Sequence, residues 1–211
     1  MNDLSMQERL SQILKFLRAA ESLKSTLRSG HTSSGRPESV AEHTWRLCLL
    51  VLVLAPEFPE VDAHRLMKIC LIHDLGEALQ GDIPAPLQDP NIDKSQSERE
   101  DLLELLSPLP ELQRSEILEL WEEYEQAATP EAKLAKAFDK LETLLQHTQG
   151  QNPPDFDYAF NLDYGRKYTE LNAQTRQLRA WIDEETQRLN SEISWIQLLE
   201  EHDLFFLNFW I

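Results

Sequence analysis

Cysteine, glycine and basic side chains are all scarce in this chain, and no apolar run is long enough to span a bilayer. The two cysteines, Cys48 and Cys70, fall in apolar stretches of helical spacing. They read as small buried hydrophobes in a reducing compartment, not as a disulfide framework. The longest apolar run, Leu47 to Pro56, falls far short of the roughly 20 residues of a membrane helix. The N-terminal stretch is polar, with no apolar signal-peptide segment. These absences point to a soluble cytoplasmic protein with no membrane partner. Lys and Arg number 20 against 37 Asp and Glu, a net charge of −17. That balance excludes a general nucleic-acid-binding surface. A small anionic substrate would therefore need positive charge supplied locally, by a metal ion or a few Arg and Lys residues. Six glycines in 211 residues, beside plentiful Ala, Leu, Glu and Gln, predict a mostly helical chain. The length suits one globular domain, or one domain with an appendage.

The chain is organised around Val61 to Pro86, V-D-A-H-R-L-M-K-I-C-L-I-H-D-L-G-E-A-L-Q-G-D-I-P-A-P. Leu66, Ile69, Cys70 and Ile72 have the spacing of a buried helix, with Asp62 placed to cap it. The apolar run ends in His73-Asp74, followed by Glu77 and Asp82. Packing alone gives no reason to finish a buried helix on an imidazole and three carboxylates. Buried charges must be paired or must coordinate a metal.

On either side the pattern is helical. An amphipathic helix is predicted over 4–27, with Leu10, Ile13, Leu14, Leu17 and Ala20 on one face. Arg28 to Pro37 is polar and rich in Gly and Ser. It reads as a solvated loop carrying Arg28, His31 and Arg36. Ser39-Val-Ala-Glu42 is a capping box that opens a helix to about Ala55, stopped by Pro56. His43 lies one turn in, near the buried face, where a lone histidine is more often a hydrogen-bonded core residue than a ligand. Helices follow over about 95–106 and 109–126. Thr129-Pro130-Glu131 starts another, running to Thr148 with Gly150 as its stop. Its stripe is Leu134, Phe138, Leu141 and Leu145. Asp139 at the stripe's edge is either a surface carboxylate paired with Lys136 or Lys140, or a ligand reaching under the stripe. A last long helix is predicted over 162–189, with Tyr168, Leu171, Leu178 and Ile182 as its stripe. The apolar end, Leu204 to Ile211, must pack on the domain body or on a second subunit. No strand pattern is evident.

Taken together, His43, His73-Asp74 and Asp139 form a pattern that no one of them forms alone. R-P-E-S-V-A-E-H (36–43), L-I-H-D-L-G-E-A-L-Q-G-D-I (71–83) and A-F-D-K-L-E (137–142) resemble the HD-domain metal-dependent phosphohydrolases over roughly residues 8–150. The G-E and G-D-I elements, with E-L-W-E-E-Y-E at 119–125, resemble the branch of the 5'-deoxynucleotidases and the HD-domain-containing protein 2 group. The resemblance implies an all-α HD-type bundle around a buried divalent metal site over residues 1–150. The region 151–211 is then a helical extension that packs on the same domain or a second subunit. It implies one divalent ion held by His43, His73, Asp74 and Asp139. Imidazole and carboxylate donors suit Mn, Co, Fe, Ni or Zn. It gives Glu77 a part in proton transfer or water positioning, Asp82 the orientation of water or leaving group, and Arg28 the phosphate. The implied substrate is a small phosphate ester, a nucleoside 5'-monophosphate in the leading reading. The alternatives are a nucleotide pyrophosphohydrolase or phosphodiesterase, and a non-catalytic helical binding protein. A homodimer is expected from the apolar end.

The chain departs from that branch just after Arg28. The deoxynucleotidases carry a tryptophan there that helps to exclude a ribose 2'-hydroxyl, whereas Ser29, Gly30 and His31 stand here. His31 becomes a candidate substrate contact, and the loop Asn152 to Phe156 a candidate to fill the tryptophan's place.

Overall fold

The computed structural model describes residues 5–83 and 94–207, with side chains described to residue 192. The dimer motive at Leu204 to Ile211 lies outside the described side chains. Helix α1 (Met6–Ala20) opens on a capping box in which Ser5 N donates to Glu8 Oε2 at 2.8 Å. After a short 3-10 turn come strands β1 (Leu27–His31) and β2 (Pro37–Ser39). Helix α2 (Val40–Leu54) starts on the expected capping box of Ser39 and Glu42. Asp62 caps α3 (Ala63–Ile72) by accepting from the backbone of His64 and Arg65. Short α4 (Glu77–Gln80), α5 (Lys94–Leu106) and α6 (Glu111–Gln126) follow. Helix α7 (Pro130–Gln149) starts on the Thr129 cap. The chain closes with α8 (Tyr158–Asp163), α9 (Arg166–Thr169) and α10 (Ala173–Leu207).

The fold is all-α, with α7 at its centre. Helices α2, α3 and α6 pack on it, as do α9 and α10 from the C-terminal part of the chain. Leu47 and Val51 of α2, Leu66 and Ile69 of α3, Trp121 of α6 and Phe138 and Leu141 of α7 form a buried core. Because α7 is wrapped from both directions, its polar residues Asp139, Glu142, Thr143, Gln146 and His147 are buried as well. A polar helical face that is out of water must find partners, and those partners build the site described below.

Three expectations are corrected. The segment after Leu27 is not a free loop. β1 and β2 pair antiparallel, with Leu27 opposite Ser39 and His31 opposite Pro37. Thr32 N donates to Arg36 O at 2.8 Å, and Gly35 turns the chain at φ +82°. The strands are too short and too polar to show a period of two. The helix expected over 162–189 is broken into α8, α9 and α10. Gly165 adopts φ +72°, and a Cβ there would lie 2.7 Å from Lys140 Cγ, so the chain presses against α7 at a point only glycine fits. Asn172 then restarts the helix by accepting from Thr175 N at 2.9 Å. The stripe placed on α1 is also shifted. Leu10, Leu14 and Leu17 are exposed, whereas Ile13 and Phe16 pack on the core.

Candidate active site

Four of the sequence-selected side chains converge from three parts of the bundle. His43 projects from the first turn of α2 and Asp139 from the middle of α7, while His73 and Asp74 stand where α3 ends. His43 Nε2 lies 3.4 Å from His73 Nε2 and 3.3 Å from Asp139 Oδ1. His73 Nε2 lies 3.0 Å from Asp74 Oδ2 and 3.9 Å from Asp139 Oδ1. His43, His73 and Asp139 each offer an atom within 4.8 Å of the others. Asp74 stands at the edge of this group, with Oδ2 3.8 Å from His43 Nε2 and already bonded to Arg28. Asp139 is not the surface carboxylate of the alternative reading, being 3% exposed, but it does pair with Lys140, whose Nζ lies 3.0 Å from its other oxygen, which also accepts from the Tyr124 hydroxyl at 2.6 Å.

The donor set fits a divalent transition metal. Both imidazoles turn Nε2 inward while their Nδ1 atoms are held from behind. His43 Nδ1 bonds Glu142 Oε2, and His73 Nδ1 donates to Cys70 O at 2.9 Å. Such bonds fix the tautomer that leaves Nε2 free as a ligand. Glu142, with no solvent exposure, is balanced by Arg46 Nε at 2.6 Å. Burial and Arg28 both act against a charged His43, yet Glu142 and Asp139 raise its pKa to about 9. Burial would raise the Asp139 pKa, but Lys140 and His43 hold it well below the usual carboxylate range. The cluster is a place where positive charge is favoured. Neutral imidazoles and ionised carboxylates are the ligand states a metal requires.

Beside the cluster opens a cleft of about 940 Å³, lined among others by Arg28, Asp74, Glu77 and Asp82. The β1–β2 hairpin carries Arg28 into it. Nη1 donates to Asp74 Oδ2 at 3.1 Å and Nη2 to Thr143 Oγ1 at 3.1 Å. Burial would lower the Arg28 pKa, but Asp74 and Asp139 outweigh it, so the guanidinium stays charged. Glu77 is buried at the start of α4, with Oε1 3.5 Å from Lys94 Nζ. Its Oε2 has no hydrogen-bond partner among the described residues. Burial, with Asp74 and Asp82 adding repulsion, raises the Glu77 pKa to about 9. His31 is not part of the cleft wall. Its carbonyl accepts from Gln146 Nε2 instead. A Cβ on Gly30 would lie 3.2 Å from Gln146 Cγ and 3.4 Å from His147 Cδ2, so His147 occupies the space next to Gly30. His147 and Phe156, rings 4.8 Å apart, both line the cleft on this side.

Sequence reasoning missed Glu142 and Arg46, although each sits three residues beyond a candidate ligand, a spacing that shares one helix face. The loop Asn152 to Phe156, a candidate on the sequence, does bring Pro153, Asp155 and Phe156 into the cleft lining, but the sequence did not place Phe160, Tyr164 and Tyr168 there, which continue the same wall. That wall depends on the chain folding back over α7, which no local pattern announces.

The HD domain family profile matches residues 20–179. The human protein named 5'-deoxynucleotidase HDDC2 is 34% identical over 139 residues, 65% of this chain and 67% of that protein. The fission yeast (Schizosaccharomyces pombe) 5'-deoxynucleotidase hdd1 is 37% identical over 140 residues, 64% of this chain and 70% of that protein. Among solved structures, a predicted metal-dependent phosphohydrolase from Magnetospirillum magnetotacticum superposes with a TM-score of 0.76 at 30% identity, covering 88% of this chain and 96% of that one.

Proposed function

This chain belongs to the HD domain family, and on that premise we propose that it is a metal-dependent phosphoric monoester hydrolase that cleaves a nucleoside 5'-monophosphate to nucleoside and phosphate. The observation that carries the reading is the 3.1 Å bond between Arg28 and Asp74. It aims a guanidinium fork and the His-Asp cluster at the same small volume, where one phosphate can meet both. His43, His73, Asp74 and Asp139 would hold the ion, one of Mn, Co, Fe, Ni or Zn. When bound, such an ion supplies Lewis-acid polarisation of a phosphoryl oxygen and acidifies water. Arg28 grips the phosphate through the planar edge of its guanidinium. Glu77 holds a proton at neutral pH and has a free oxygen in the cleft, which suits a group that hands a proton to the leaving oxygen. Asp82, on the same wall, orients water or the leaving group. A panel of phosphate compounds tests the reaction type. Inorganic phosphate as the released product supports the reading. Pyrophosphate release, or cleavage of diesters alone, favours a pyrophosphohydrolase or phosphodiesterase. Stoichiometric metal without turnover favours a non-catalytic binding protein.

Glu77→Gln separates chemistry from binding. The variant is expected to keep metal and substrate affinity while turnover falls roughly 10²-fold, the contribution of a positioned acid or base. Wild-type turnover would make Glu77 a structural carboxylate. The same side chain has a stability signature in metal-stripped protein. An ordinary glutamate releases its proton near 4.5, whereas folded Glu77 keeps it to about 9. The folded state then binds more protons than the unfolded state between those limits, so this group's contribution to stability declines as pH rises through that window. Chemical denaturation from pH 5 to about pH 9 should show a steeper decline for wild type than for Glu77→Gln. Parallel curves would rule out the shift.

Two thiols without a disulfide suit a reducing compartment such as the cytoplasm. Among the described residues no helix is long and apolar enough to cross a membrane. The outer face of α2 leaves Trp45, Leu49, Leu52 and Val53 exposed, which supports a homodimer in addition to the apolar C-terminal end. Light scattering should report twice the chain mass at micromolar concentration, and a monomer would end this part of the reading.

A further inference from the structure

The cleft is larger than a phosphate needs. At about 940 Å³ it has the size of a site for a whole small organic ligand. Its metal-binding end is polar, whereas the segment after Gly150 brings rings to the lining, Phe156, Phe160, Tyr164 and Tyr168, beside polar side chains such as Asp157 and Lys167. Phe160 is the informative one. On the same short helix, Tyr158 is 5% exposed and belongs to the interior, while Phe160 is 37% exposed and faces the cleft. An exposed phenyl ring gains nothing from burial until something covers it. The Phe160 and Tyr164 rings are 5.6 Å apart and inclined by 31°, so they present similarly oriented faces.

We propose that Phe160 and Tyr164 form a stacking wall for the nucleobase, so that the C-terminal segment selects nucleotides over other phosphate monoesters. The inference rests on the phosphomonoesterase reading above and adds the part of the substrate that the HD cluster does not touch. Lys140 gives the spacing. Its Nζ lies 3.0 Å from Asp139 Oδ2 at the metal-binding end and 5.1 Å from the centre of the Tyr164 ring. One lysine head thus spans from the cluster to the wall, a separation that a ribose ring can bridge. Stacking on an aromatic face tolerates every base, because each has a π-face. The wall is also held rigid. Arg179, 1% exposed, donates to the carbonyls of Asn161, Leu162 and Tyr164 and pairs with Asp183 at 2.6 Å. A surface fixed before binding loses little entropy when a base lands on it.

The test uses the full-length holoenzyme and compares dAMP with 2-deoxyribose 5-phosphate, which carries the same phosphate and sugar without a base. Wild type is expected to prefer dAMP by roughly tenfold or more in kcat/KM, mainly through KM, the scale of one base on an aromatic face. Phe160→Ala should collapse that preference, and Phe160→Trp should restore it. Equal use of the two compounds by wild type, or an unchanged preference in Phe160→Ala, overturns the wall while leaving the phosphomonoesterase intact. If neither compound is hydrolysed, the phosphomonoesterase reading itself fails. Calorimetric binding of dAMP to the metal-loaded protein then decides the wall. Affinity weakened about tenfold in Phe160→Ala supports it, and absent or unaltered binding overturns it.

Discussion

His73→Ala is expected to leave the protein without its metal and to reduce phosphate release to background. His73 presents Nε2 to the cluster while its Nδ1 is committed to Cys70 O, so no other side chain can offer an imidazole from that direction. Asp74→Ala should do the same by a second route. It removes an oxygen 3.0 Å from His73 Nε2 and also the partner of Arg28 at 3.1 Å, so phosphate loses both of its anchors. The two variants should also melt earlier than wild type in added metal. A ligand that binds only the folded state stabilises it by about 2.7 kcal/mol at 100 times its Kd. Wild type should gain that margin on metal addition and either variant should not. Elemental analysis of gently purified protein, followed by melting curves with and without metal, checks both effects. Full metal occupancy in His73→Ala or Asp74→Ala would remove these residues from the ligand set.

Glu142 carries the second large effect, although it does not line the cleft and acts on the ion site only through His43. It is fully buried between His43 Nδ1 and Arg46, whose Nε lies 2.6 Å away. Burial would raise its pKa, but His43 and Arg46 pull it below the ordinary value, so it stays ionised at neutral pH. Glu142→Ala leaves the Arg46 charge partly buried and the His43 ring free to turn. Removing one partner of a buried pair typically costs about 3–5 kcal/mol, and losing the group behind a ligating histidine typically weakens metal binding about 10–100-fold. A packing role alone would lower the melting temperature and leave the metal affinity of the folded protein unchanged. Affinity measured well below the melting transition therefore separates the two roles. An unchanged value would show that His43 needs no orientation by Glu142.

The sequence alone was sufficient for the elements whose causes lie within a turn of each other. The capping box of Ser39 and Glu42, the Asp62 and Thr129 caps and the apolar stripe of α3 all stand where their residues direct them. Local hydrogen bonds and a 3.6-residue period need no knowledge of the rest of the chain. His43, His73, Asp74 and Asp139 were legible as a set because the family pattern links residues that no local signal links. What only the tertiary structure decided lies between elements. The β1–β2 pairing swings Arg28 onto Asp74, and strands so short carry no periodic signal. Gly165 and Asn172 break the last long helical pattern, and Phe160 and Tyr164 thereby reach the cleft. Glu142 sits in the same A-F-D-K-L-E stretch as Asp139, yet its partner His43 is 99 residues away. An exposed face and a buried polar face read alike along one helix. α7 became the second kind because α2, α3, α9 and α10 pack around it, and only then did its carboxylates have to find partners.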